Sequence, residues 1–142
     1  MTRLWPVALV GLAAAAACGA AWALLIATTR SEIGFAAVGV GWAVGQGVRR
    51  AADGRRGRPL QGVAAGCALF GLVLGKYFFI AHMIREMLER QRAPVPAWWD
   101  PRMVAFFARV LPKTVGLYDA LWAFLALSMA WRALQPTPAP AR

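Results

Sequence analysis

Apolar residues fall into four long stretches along the 142-residue chain, separated by shorter polar segments. The first, LWPVALVGLAAAAACGAAWALLIATT, carries no charge over 26 residues. About 20 apolar residues suffice to cross the hydrocarbon core of a bilayer as a helix, so a membrane span is expected over residues 5–27. Pro6 suits a first helical turn, where its missing N–H costs nothing. Trp5 and Trp22 fall near the two ends, where interfacial aromatics concentrate. The short polar segment 28–32 predicts an antiparallel hairpin, with Ser31 as a cap.

The second stretch contains GFAAVGVGWAVGQG and predicts a span over 33–48. Its glycines would weaken a helix in water. In lipid they let helices approach closely, because packing rather than hydrophobicity drives association there. At 100° per residue, Gly34, Gly41 and Gly45 lie within about 40° of one another. They form a smooth stripe on which span one or span three is expected to pack.

The third stretch predicts a span over 60–84, with Lys76 and His82 inside it. Two G-x-x-x-G pairs, Gly62/Gly66 and Gly71/Gly75, fall on nearly opposite sides of that helix. It should therefore touch neighbours on both flanks and be the central element. Its pattern continues through MIREMLERQR, whose charges take it out of the bilayer, until Pro94 and Pro96 stop it.

The next segment, APVPAWWDPRMVAFFARVLPKT, is not a clean span. Asp100 followed by Pro101 starts a helix well. From there Met103, Val104, Phe107, Val110 and Leu111 share one face, and Arg102, Ala105 and Arg109 share the other. A short amphipathic helix over 101–111 is expected to lie in the interface, with Trp98 and Trp99 before it; a re-entrant loop is the alternative. The fourth stretch predicts a span over 115–134 bearing Trp122 and Trp131, with Arg132 snorkelling at its end. Residues 135–142, rich in Pro and Ala, read as a disordered tail. The expected fold is all-α: a single domain over residues 1–134, an integral membrane four-helix bundle with an interfacial helix between spans three and four.

Composition agrees with this pattern. The chain is 60% hydrophobic and 15% charged, too apolar for an ordinary soluble domain of this size. Arg3 before an apolar run resembles a signal peptide, but an apolar signal core covers roughly 7–15 residues and this run is longer. The net charge of +10 is carried by 14 Arg and two Lys. The basic residues lie between the apolar runs, as topology requires of cytoplasmic loops. Segment 49–61 holds Arg49, Arg50, Arg55, Arg56 and Arg58 against Asp53. It is the strongest orientation signal and is expected in the cytoplasm, which with four spans places both termini there too. The connection between spans three and four opposes this with six Lys/Arg against three acids, but more diffusely. The expected location is the inner membrane of a bacterium. The arginines of segment 49–61 suit anionic lipid headgroups; nucleic acid is not expected as a partner, since no aromatics for base stacking accompany them.

Ionisable residues inside a membrane carry a functional hypothesis by default. Lys76 lies about 14 residues, or roughly 21 Å, up span three from the cytoplasm, and Asp119 about 15 residues, or roughly 22 Å, up span four. Matching depth and opposite charge predict that they pair. Such a pair could clamp helices or snorkel to the outer interface, or work as an ion or proton relay with His82. Cys18 and Cys67 sit inside apolar runs without metal-ligand spacing and read as buried hydrophobes. Their depths differ by roughly 10 Å, so no disulfide is expected. Gly39-Val-Gly41-Trp-Ala-Val-Gly45 has the wrong spacing for a dinucleotide loop. No zinc-protease or P-loop motif is present, and neither a cofactor nor a catalytic residue is expected.

Residues 39–77 (GVGWAVGQGVRRAADGRRGRPLQGVAAGCALFGLVLGKY) and 118–132 (YDALWAFLALSMAWR) resemble a loose group of uncharacterised small bacterial membrane proteins. These pair a Gly-rich span, a basic loop, a G-K-Y-like span end and a D-x-L-x-x-x-L-A final span. The resemblance implies a four-span fold and no particular activity. The small-residue surfaces and the lack of reactive constellations favour a non-enzymatic protein acting by helix association, as an accessory subunit or scaffold with a membrane-protein partner or as a homo-oligomer. A small transporter or proton-linked permease component using Lys76 and Asp119 is the alternative, and an intramembrane lipid-modifying enzyme is a third.

Overall fold

The computed structural model describes residues 4–29 and 34–136, which form five α-helices and no strand. These are α1 (Leu4–Thr29), α2 (Gly34–Ala51), α3 (Arg58–Arg90), α4 (Pro101–Thr114) and α5 (Leu117–Arg132). The hairpin turn with Ser31, Arg3 at the start and residues 137–142 of the expected tail lie outside the described residues. Two helices, α1 and α3, are long and apolar enough to cross a membrane. A third candidate exists if α4 and α5, bent by 99° at their junction, count as one broken span. Glycine and arginine dilute the apolar character of α2, and α5 has only 16 residues.

Several boundaries differ from those the hydropathy pattern predicts. α2 runs on through Arg49 and Arg50 to Ala51, because a helix end can project charged residues into a polar phase without breaking its backbone hydrogen bonds. The turn after it uses left-handed backbone at Asp53 (φ 52°) and Gly54 (φ 72°), where Gly54 bears no Cβ to clash. Pro59 then sits in the first turn of α3. α4 extends beyond residue 111 to Thr114, with Pro112 in its last turns. The final helix begins at Leu117, not 115: Val115 and Gly116 are extended and form the corner between α4 and α5.

Glycine and alanine set the order of packing. α1 buries Val7, Gly11, Ala15 and Gly19 on one face. An added Cβ at Gly19 would fall 2.8 Å from the Gly71 carbonyl, and one at Gly11 would fall 2.8 Å from Cys67 Sγ. Early residues of α1 meet early residues of α3, so the two helices run parallel. On α2, a Cβ at Gly45 would fall 2.8 Å from that of Ala133, while Gly41 lies against the Ala126 backbone and Gly34 against the Trp122 ring. α2 and α5 therefore also run parallel to each other. Gly47 faces Ala14 and Gly71 faces both Ala15 and Val40, which sets α2 antiparallel to α1 and α3.

The glycine stripe of α2 thus receives α5, not α1 or α3. Both candidates offer small residues, but Ala126, Ala130 and Ala133 repeat at the spacing that matches the stripe. On α3, Gly71 and Gly75 pack against α1, while among the described residues nothing lies within 4 Å of the Cβ position at Gly62 or Gly66. α3 touches all four other helices, as expected of a central element, though among the described residues none of these contacts covers Gly62 or Gly66.

Candidate functional site

The α4–α5 corner brings the two intrahelical charges together. Asp119 stands in the first turn of α5, where its Oδ2 accepts the Gly116 N–H at 3.1 Å. It thereby caps a helix N-terminus, whose leading N–H groups have no partner within the helix. Lys76 Nζ lies 2.8 Å from the same oxygen and donates to the carbonyl of Thr114 at 3.2 Å. Thr114 is the last residue of α4. An ammonium at a helix C-terminus and a carboxylate at a helix N-terminus each occupy the favourable pole of the helix dipole. The pair therefore fastens the corner to the side of α3.

A cavity of about 190 Å³ adjoins the pair, between α1, α2, α3 and the corner. Its walls include Trp22, Leu72, Val73, Phe79, Trp122 and Ala123 besides Lys76 and Asp119. Trp22 lies over Gly75 and Trp122 over Gly34, and neither indole N–H has a hydrogen-bond partner among the described residues. Trp22 is thus part of the packed interior; the open space above Gly75 draws its ring inward.

His82 does not join this site. It lines a separate, wider groove of about 910 Å³, floored by Ala20, Ala23 and Ala27 of α1 and walled by Phe78, Trp98 and Trp99. Six residues along a helix separate His82 from Lys76 by 240°, which places them on different faces. The relay of Lys76, Asp119 and His82 is therefore not assembled.

An aromatic cluster that the periodicity left unremarked holds α4 in place. Tyr77 stacks on Trp99 with ring centroids 5.4 Å apart and meets Phe107 edge-on at 5.2 Å. Phe78 meets both Trp98 and Trp99 edge-on. The Tyr77 hydroxyl donates to the Trp98 carbonyl, and Arg85 donates to the Pro96 carbonyl while lying over the Trp98 ring. Met103 and Phe107 are buried against Tyr77 and Ala81. Val104, placed on the same face by periodicity, is 44% exposed because contact with a single helix covers only a narrow strip. The signal available in the sequence was the aromatic doublet Tyr77-Phe78 answering Trp98-Trp99.

In the basic loop, Arg55 Nε donates to Ala52 at 3.1 Å and Arg56 to Gln135 at 3.0 Å. Arg50 and Arg58 are exposed and Arg49 is half-buried. Cys18 and Cys67 are free thiols. No group of three or more His, Cys, Asp or Glu suited to a metal occurs among the described residues. No protein-family model, curated protein or solved structure matches the chain.

Proposed function

We propose that the chain is a four-span protein of the bacterial inner membrane, with both termini and the Arg49–Arg58 loop in the cytoplasm, that acts by helix association as an accessory subunit or scaffold. The observation carrying the association is the unfilled Gly62/Gly66 face. The neighbouring Gly71/Gly75 pair is consumed inside the chain, whereas Gly62 and Gly66 open outward beside exposed Leu69 and Phe70. Small residues at that spacing let a second helix approach closely in lipid. The occupant would be a span of a partner protein or of a second copy.

The dimensions support the membrane placement. From Arg58 to Tyr77 along α3 is about 29 Å, close to the roughly 30 Å of a hydrocarbon core. One boundary is then marked by arginines and the other by Tyr77, Trp98 and Trp99. Lys76 and Asp119 fall at the outer boundary, where a closed ion pair suits a clamp better than a relay. The arginines would meet anionic headgroups on the cytoplasmic side.

Purification in mild detergent should recover either a stoichiometric membrane partner or a defined oligomer, lost on replacing Gly62 and Gly66 together by leucine. A wild-type protein that stays monomeric and alone would refute association. A permease component is the second reading, supported by the cavity beside the pair; proteoliposome flux that disappears with Asp119→Asn would favour it.

A further inference from the structure

The unused hydrogen-bonding capacity at the corner defines what the adjoining cavity can hold. Asp119 Oδ2 accepts from both Lys76 and Gly116, while Oδ1 has no partner among the described residues. An ammonium offers three donors, and Lys76 uses two of them, on Asp119 and Thr114. The pair itself is left with one donor and one acceptor on charges that cancel, and the Trp22 and Trp122 indole N–H groups are buried inside the wall rather than exposed to the opening. The remaining cavity wall is overwhelmingly apolar. Exposed Leu69, Val73, Val115 and Tyr118 line it, so it opens onto apolar surface.

We infer that this cavity binds the hydroxyl end of a neutral lipid alcohol. A hydroxyl accepts one hydrogen bond and donates another, so it can take the spare N–H of Lys76 and give its proton to Asp119 Oδ1. An anionic headgroup would face the carboxylate, and a cationic one the ammonium. An ether or ester offers no proton and leaves Asp119 Oδ1 unmatched. At about 190 Å³ the cavity is smaller than the roughly 300 Å³ at which small-molecule pockets begin. It accommodates the hydroxyl and the first carbons, and the rest of the chain lies along Leu69 and Val73 in the bilayer. The inference uses the membrane placement but not the association through Gly62 and Gly66.

Two sources share this chemistry, a single-chain alcohol and a diacylglycerol. The test uses the full-length protein in phosphatidylcholine nanodiscs and a long-chain alcohol carrying a photoactivatable diazirine near its hydroxyl, with labelled residues mapped by mass spectrometry. Labelling should concentrate on cavity residues such as Leu72 and Ala123. Competition by oleyl alcohol or by dioleoylglycerol supports the assignment and shows which source fits, whereas oleyl methyl ether should not compete. Labelling should fall about tenfold in Lys76→Met/Asp119→Leu, the loss of about 1.4 kcal/mol expected for a removed hydrogen-bonding pair. Ala120→Phe, which fills the cavity and leaves the pair intact, should lower it as well and guards against a double variant that fails to fold. Equal competition by the methyl ether, or undiminished labelling in a folded variant, would overturn the assignment. Partner recovery through Gly62 and Gly66 is a separate readout and can survive either result.

Discussion

Asp119 serves two elements with one oxygen, so its two partners should be energetically coupled. Lys76→Met alone leaves the carboxylate facing an apolar wall, and Asp119→Leu alone leaves the ammonium there. Each single variant should lower the unfolding temperature in detergent more than half of what the double variant does. The coupling is expected at about 1 kcal/mol, near the exposed-pair end of the range, because the Asp119 side chain is 36% exposed. A coupling of zero would mean that the two charges act independently. Glycine offers a sharper contrast. Gly41→Ala drives a methyl into the Ala126 backbone and should destabilise by about 1–3 kcal/mol, whereas Gly39→Ala meets open space and should be neutral or slightly stabilising. Thermal unfolding of the two variants side by side checks this. The meeting of Lys76 with Asp119 was legible in the sequence because charges are rare in apolar runs and their depths can be counted. Which glycines are filled was not legible: periodicity gives the face of a helix but not the neighbour that covers it, and alanine spacing on α1 and α5 settled that.

Among the described helices, α4 packs on α3 alone. Its attachment rests on Met103 and Phe107 against Tyr77 and Ala81, with Trp99 stacked beside them. Phe107→Ala should therefore release α4 locally rather than unfold the protein. Hydrogen exchange of residues 101–111 should accelerate at least tenfold while the middle of α1 keeps its protection; slowed or uniform exchange throughout would show that α4 is not an independent unit. At this scale the sequence was informative where the chain is regular. The runs of α1 and α3, and the amphipathic start of α4 at Asp100-Pro101, could be read directly. The break between α4 and the last helix could be read from Pro112-Lys113-Thr114, but the extended corner at Val115 and Gly116 and its sharp bend could not. What bends the chain there is tertiary: the Lys76 ammonium binding the end of α4, and the Asp119 carboxylate capping the start of α5.

Across the whole molecule, α1 and α3 run one way and α2 and α5 the other, so the described chain ends, Leu4 and Pro136, lie at the same end as the basic loop. The contacts of Arg56 with Gln135 and of Gln61 with the Trp131 carbonyl hold that end together. Alternating direction was predictable from short connections, since they leave neighbouring helices no room to run parallel. The parallel pairing of α1 with α3 and of α2 with α5 was not, since it depends on which small-residue faces match.

The length of α3 has one more consequence. Its 33 residues measure about 50 Å, so some 20 Å of helix continues past Tyr77, with residues 91–100 descending beside it to α4. α1 still flanks it at His82 and α4 at Ile84, so among the described residues the protein narrows to a short two-ply stalk only beyond Ile84, tipped near Gln91 and Arg92, where the backbone turns through a left-handed φ of 53°. A short epitope inserted at that tip should be readable by antibody on spheroplasts without permeabilising them, and one placed at Arg55 should not. The opposite pattern would invert the molecule in its membrane and hand the stalk to the cytoplasm.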